Sequence, residues 1–380
     1  MTRARKAGPR VLITLDAVGG VWRYAMDLAA GLCRQNVRCA FLGFGPEPGA
    51  EAWAEAETLG RMEWSDLPPD WLAPGPAALA PVAGVIAGAA RRHRADLIHL
   101  SAPSQAAQLR VPVPVVSVVH SCLPTWFASV RGAAPPAGLR WHGHLNAEGM
   151  ANSDCVIAPS RAFAALIGQV YANAPEIEVV PNASRAPNRR TADEAFVLAV
   201  GRWWDEGKNG TVLEAAAPHL DWPLVMAGAN EGPNGAVLSI AHAQHRGVLS
   251  HRLTQDLIGR AGIFVSPSIY EPFGLAVVEA ARAAVPLVLA DIPTFRELWN
   301  GAAVFFPPRD PAALAAQLHL LSCDPEARRH LGAAAQARAA LYAPDVQAQA
   351  MLRRYSGLLA GALPVRGASA PQLQASGAIR

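Results

Sequence analysis

Short apolar runs alternate along this chain with longer stretches of helical period. In the first half the runs are Val11 to Leu15, Cys39 to Leu42, Leu97 to Leu100, Val115 to Val119 and Cys155 to Ala158. Each has strand length and reads as buried on both faces, which is the rhythm of a parallel sheet covered by helices. Between the first two, Val21, Ala25, Leu28 and Leu32 recur at spacings of four, three and four, placing one apolar stripe on a helix that follows Gly19-Gly20. The alternation restarts at Phe196 to Val200, after the polar, Pro-containing segment 184–195, which reads as a linker. Near the end Ala348, Leu352, Tyr355 and Leu359 repeat the spacing of the first helix. The pattern predicts an α/β protein of two Rossmann-like, doubly wound domains facing a cleft, with boundaries at 1–185 and 186–342, a helix in 343–363 and a disordered tail at 364–380.

Length agrees, since 380 residues exceed one average domain and suffice for two cores. A net charge of +3 and the lack of a basic run with interleaved aromatics argue against a nucleic-acid partner. Arg3, Arg5, Lys6 and Arg10 form a short basic arm that reads as a solubilising terminus. Residues 71–90 carry no charge and are long enough to span a bilayer, but Pro74, Pro76 and Pro81 interrupt them and Ala dominates. They read as a loop to Pro81 and then a helix ending in Arg91, Arg92, His93 and Arg94. No secretory signal is recognised, and Cys33, Cys39, Cys122, Cys155 and Cys323, odd in number and without Cys-x-x-Cys spacing, read as reduced core thiols. A cytoplasmic protein without a transmembrane segment is expected.

The chemistry concentrates in the second half. GIFVSPS (262–268) is a strand pattern, Pro272 and Gly274 mark a tight turn, and 275–284 is rich in helix formers. A helix opening near Phe273 and Gly274 offers free N–H groups and the positive end of its dipole to a phosphate. Glu271 precedes that end and Glu279 lies about two turns inside, with the two carboxylates separated by roughly 9–12 Å. Upstream, the strand ending at Val200 leads through Gly201 to Arg202 and Lys208, a planar fork and a mobile point charge on one turn.

Together, GRWWDEGK and the two glutamates with seven residues between them resemble the retaining glycosyltransferases of family 4 (glycosyltransferase group 1), which have the glycosyltransferase-B (GT-B) fold. VVPNAS (179–184), PLVMAGANEGPNG (223–235) and 246–268 sit where that family has its hinge and further strands. VLITLDAVGGVWRYAMDLAAGL matches its opening strand, Gly-Gly loop and helix, so that some 340 residues are covered in all, and the resemblance implies that the helix in 343–363 crosses back to the first domain. The chain departs from many relatives in carrying one more residue between Arg202 and Lys208, and Ala183 in place of Gly at the hinge.

The resemblance implies a donor substrate, a nucleoside-diphosphate sugar, and a hydroxyl acceptor: a glycan, a lipid-linked saccharide or a small molecule. Polysaccharide biosynthesis and contact with a membrane surface would suit such acceptors. It implies that Arg202 and Lys208 hold the diphosphate and that Glu271 accepts hydrogen bonds from donor-sugar hydroxyls. The N–H groups around Phe273, Gly274 and Leu275 would meet phosphate or sugar, and Glu279 the ribose diol. Gly19 and Gly20 match the loop over the donor phosphate. His120, at the end of the strand 115–119, matches a histidine near the reacting centre. No cofactor is implied, and no metal either, since the chain has no Asp-x-Asp pair. His142 and His144 read as a surface pair without further ligands. A nucleotide-sugar epimerase of the same fold, or a catalytically silent sugar-nucleotide-binding partner, is the alternative. A dinucleotide oxidoreductase is disfavoured because Leu15 to Gly20 lacks Gly-x-Gly-x-x-Gly spacing.

Overall fold

The computed structural model describes residues 8–233 and 235–361. Two parallel sheets form within them. The first contains β1 (Arg10–Asp16), β2 (Arg38–Phe44), β3 (Gly60–Ser65), β4 (Leu97–Leu100), β5 (Val115–Val118), β6 (Cys155–Ala158) and β7 (Ile177–Val179), in the order β3-β2-β1-β4-β5-β6-β7. The second contains β8 (Glu194–Val200), β9 (Leu224–Ala227), β10 (Gln244–His245), β11 (Ala261–Ser266), β12 (Leu287–Ala290) and β13 (Val304–Phe306), in the order β10-β9-β8-β11-β12-β13. Strand order reverses between β1 and β4 and between β8 and β11. Such switch points leave a crevice beyond the C-terminal ends of the strands. Gly19-Gly20 follow β1, His120 follows β5, Arg202 follows β8 and Glu271 follows β11, so these residues lie at the C-terminal ends of their strands.

The helices α1 (Gly20–Arg34), α2 (Ala50–Leu59), α3 (Val82–His93), α4 (Leu123–Arg131), α5 (Arg140–Asn152) and α6 (Arg161–Val170) cover the first sheet. The second carries α7 (Gly210–Ala216), α8 (His251–Arg260), α9 (Leu275–Arg282), α10 (Pro293–Trp299), α11 (Pro311–Cys323) and α12 (Pro325–Ala339). The last helix, α13 (Pro344–Leu359), returns to the first sheet and packs on α1: Ala348, Met351, Tyr355 and Leu358 join the core made by β1, β2 and α1. The crossings between the sheets run side by side, with the Ser184 N–H donating to the Tyr342 carbonyl at 3.3 Å.

Several details differ from the pattern reading. Nearly the whole circumference of α1 is buried, from Tyr24 to Leu32, because α13 covers the side that the sheet does not. The buried stripe of α13 is Ala348, Met351, Tyr355 and Leu358, leaving Leu352 at its margin and Leu359 exposed. His142 is buried and stacked on Trp141 at 3.6 Å, so it is not a surface residue. Cys323 is exposed and Cys33 half-buried, which takes them out of the set of core thiols. Segment 71–90 forms two short 3-10 turns and the start of α3, and no helix among the described residues is long and apolar enough to cross a membrane. The tail at 364–380 and the basic arm up to Lys6 lie outside the described residues.

Candidate functional site

The turn after β8 is built by its own side chains. Trp203 is buried and donates from Nε1 to the Ala227 carbonyl at 3.0 Å, which leaves Arg202 facing outward, its guanidinium over the Trp204 ring at 5.6 Å. Asp205 accepts from the Gly207 N–H at 2.9 Å and closes a 3-10 turn over Glu206–Lys208. Asn209, at φ +56°, donates to the carbonyls of Pro267 and Pro308 at 3.0 and 2.6 Å, tying this loop to the segment after β11. As a result Lys208 Nζ donates to Glu271 Oε2 at 2.5 Å, a half-buried pair uniting the two sequence motifs.

Beyond Glu271 the chain is held from both sides. Ser160 of the first domain donates to the Pro272 carbonyl at 2.8 Å, and the Phe273 side chain is buried against Tyr342. Gly274 has φ +92°, and a Cβ there would lie 3.1 Å from the Phe295 ring, so glycine suits this helix start on two counts. Among the described residues, the N–H groups of Gly274, Leu275 and Ala276 meet no acceptor, the usual condition of a helix N-terminus that suits an anion.

The first domain brings its glycine loop to this point. Gly19 has φ +86°, and a Cβ built on it would stand 2.9 Å from Arg202 Nη1; one on Gly20 would lie 3.4 Å from Leu275 Cδ1. The starts of α1 and α9 thus converge with the Arg202 guanidinium. Beside them lies Asp16, which pattern reading passed over. Burial in the cleft pushes its carboxyl up to about 6, against a hydrogen bond accepted from the Val18 N–H at 2.8 Å and the nearby charge of Arg202.

Glu279 takes a more interior position than two solvent-facing glutamates flanking a ligand would. It is only 6% exposed, and burial, with Asp27 adding to it, pushes its carboxyl up to about 7 against the pull of Gln255 and Arg23. Arg23, on α1, donates to Asp27 at 3.0 Å and forks onto Glu55 at 3.1 and 2.6 Å. Arg185 adds bonds to Asp27 at 2.7 Å and to Glu55 at 2.6 Å. The signal for this network was present in the sequence as the i,i+4 pair Arg23 and Asp27, hidden by counting only apolar positions on α1.

His120 packs edge-on against Tyr24 at 4.2 Å, and its Nε2 is buried without a hydrogen-bond partner among the described residues. Burial pushes it down to about 3, so the imidazole is neutral at neutral pH. Behind it, the Tyr24 hydroxyl lies 3.1 Å from His99 Nε2 and the Tyr355 hydroxyl 2.7 Å from His99 Nδ1, a buried chain joining α1, β4 and α13. The arrangement therefore offers a cation, free helix N–H groups and a lysine–carboxylate pair at one place, with the histidine in reserve at the end of β5.

Comparison with known proteins agrees in both halves. One family model, Glycosyltransferase Family 4, matches residues 18–183, and a second, Glycosyl transferases group 1, matches 182–338. Glycogen synthase of Mycobacterium tuberculosis is 31% identical over 279 residues, 66% of this chain and 66% of its own length. D-inositol 3-phosphate glycosyltransferase of Streptomyces bingchenggensis is 27% identical over 290 residues, 66% of this chain and 62% of its own. The matched part of the chain thus spans about two thirds of these relatives. Among solved structures, sucrose-phosphate synthase of Thermosynechococcus elongatus superposes with a TM-score of 0.74 at 17% identity, covering 93% of this chain and 100% of that one. Anabaena HepE in complex with UDP and glucose gives 0.73 at 19%, covering 92% and 100%. With both halves matched in order and 93% of the chain following one architecture, the protein belongs to glycosyltransferase family 4 and has the GT-B fold.

Proposed function

We propose that the protein is a retaining glycosyltransferase that moves a sugar from a nucleoside-diphosphate donor to a hydroxyl acceptor without a metal. The observation that carries this reading is the convergence of Arg202 with Gly19 and the unpaired N–H groups of α9, beside the Lys208–Glu271 pair. Charge that builds on a departing diphosphate would be met there by a planar fork and a helix terminus already in place, and by the point charge of Lys208 after it leaves Glu271. Glu271 would accept from donor hydroxyls once Lys208 turns to phosphate, and Glu279 from the ribose diol. His120, neutral with one nitrogen unspent, would hydrogen-bond the donor sugar near its anomeric carbon. In the step itself the anomeric carbon–phosphate oxygen bond breaks, and the acceptor oxygen bonds to that carbon on the same face. Its proton passes to the leaving phosphate oxygen.

Support comes also from the relatives, whose names include a glycogen synthase and an inositol phosphate glycosyltransferase. An acceptor rich in hydroxyls, met in the cytoplasm, follows as part of the proposal. The test is a panel of nucleotide sugars screened by thermal shift, followed by proton NMR of the first product formed with the donor that binds. A donor bound at 100 times its dissociation constant adds about 2.7 kcal/mol of stability. Retained anomeric configuration is expected, whereas an inverted product, or activity that EDTA abolishes and Mg²⁺ restores, would overturn the reading.

A further inference from the structure

Away from the cleft, Asp221, His319 and Cys323 bring three different ligand atoms within 4.8 Å of one another. His319 and Cys323 stand one turn apart on α11, on the same face of the helix. Asp221 comes from the segment just before β9, its Oδ2 2.5 Å from His319 Nδ1. Because Asp221 precedes its strand while Arg202 and Glu271 follow theirs, the cluster lies at the opposite edge of the second sheet from the proposed transfer site.

One buried residue holds both walls in place. Arg328 Nη1 donates to the Leu321 and Ser322 carbonyls at 2.7 and 2.9 Å, fixing the last turn of α11. Its guanidinium lies over the Trp222 ring at 4.7 Å, fixing the residue next to Asp221. Ser322 donates to the His319 carbonyl at 2.8 Å and tightens the same turn. The three side chains themselves are exposed, so an ion has an open path and a free outer position.

We propose that these residues form a transition-metal site that takes Zn²⁺ in preference to Ca²⁺ or Mg²⁺. A thiolate, an imidazole and one carboxylate make a mixed soft and borderline donor set that Ca²⁺ and Mg²⁺ do not favour. Tetrahedral Zn²⁺ with bonds of about 2.0–2.3 Å needs its ligand atoms about 3.3–3.7 Å apart, so binding only loosens the Asp221–His319 contact and draws in Cys323. The Cys323 thiol gives up its proton on binding, and water completes the shell. The ion would clamp the C-terminal turn of α11 to the loop before β9.

The test is titration of the reduced full chain with Co²⁺, read by absorbance. A thiolate-to-cobalt charge-transfer band with tetrahedral visible bands, saturating near one equivalent and erased by Zn²⁺, is the expected result. Cys323→Ser should lose the charge-transfer band although four cysteines remain. His319→Ala and Asp221→Asn should weaken Co²⁺ binding at least tenfold. A thermal shift with Zn²⁺ should appear in the wild-type chain and vanish in Cys323→Ser, whose unshifted midpoint without metal controls for folding. Absence of the band in the wild-type chain, or its persistence in Cys323→Ser, would overturn the proposal, as would equal affinity in His319→Ala.

Discussion

Glu279 shows how much of a side chain's chemistry is set by neighbours far off in sequence. Its spacing from Glu271 was readable, but its burial was not, because the groups that enclose it, Arg23 and Asp27, come from α1. A carboxyl raised to about 7 is neutral in the folded chain where the unfolded chain would ionise it. Its penalty on stability is therefore absent below pH 4.5, grows as pH rises to about 7 and is complete above that. Glu279→Gln should remove this slope and be more stable than the wild type at pH 8 by on the order of 1–3 kcal/mol, with little gain at pH 4.5, as measured by urea unfolding at both values. If the ribose diol is read by the carboxylate, affinity for nucleoside diphosphate should also rise between pH 6 and 8 in the wild type and stay flat in Glu279→Gln, by calorimetric titration. At the other end of the site, Arg202→Ala removes a preorganised contact to developing charge and should lower turnover by roughly 10²–10³, with a smaller effect on the Michaelis constant. Wild-type turnover in that variant would take the residue out of the reaction. Asp16 was not legible at all, since a lone acid after a strand has no pattern until the fold sets Arg202 beside it.

At the level of elements, what could be read followed from burial on both faces. The interiors of β1, β5, β6 and β11 are apolar but for Thr14 and Ser117, and these strands were recognisable from that. β3 (GRMEWS) is a polar edge strand, and β7, β10 and β13 have three residues or fewer, too short for any periodicity to register. On α13, long enough for its period to register, the expected stripe lay one residue too far toward the C-terminus at two positions: two nearly equivalent spacings exist, and α1 selects the one whose residues fit it. Gly31 makes that fit close. A Cβ there would lie 2.7 Å from Ala348 Cβ and 2.9 Å from the Pro344 carbonyl oxygen. Gly31→Leu should drive the helices apart and cost about 1–3 kcal/mol, visible as a lower melting temperature by calorimetry. Tyr355→Phe keeps the shape and leaves His99 Nδ1 unpaired, so it should cost a comparable 1–3 kcal/mol; no loss would mean that water replaces the hydroxyl.

Across the whole molecule, the first domain is not one continuous stretch of sequence, because α13 completes its core after the second domain has been made. Removal of residues 344–380 should therefore expose the α1 surface and leave a chain that binds a hydrophobic dye and melts without a sharp transition, even though every motif of the proposed site is retained. Contacts across the cleft include Trp126 Nε1 to Asp205 at 2.8 Å, Arg131 with Glu206, and the Arg161 and Ala162 N–H groups on Glu297 at 3.0 and 2.7 Å. These contacts are polar, whereas Tyr270, from the segment after β11, is buried against Val119, Val130 and Phe163 of the first domain, so the two surfaces meet through both kinds of contact.

The paired crossings at Ser184 and Tyr342 give any parting of the two surfaces a direction. A door hung on one strap can twist as well as swing, whereas one hung on two straps sewn together keeps a single pivot. Arg185 with Asp27, next to the pivot, should hold its contact through the swing, while Trp126 with Asp205, on the leaf, should break. A short tether between cysteines placed at 131 and 206 should then halt turnover, and the same tether between positions 190 and 193, within one leaf, should not.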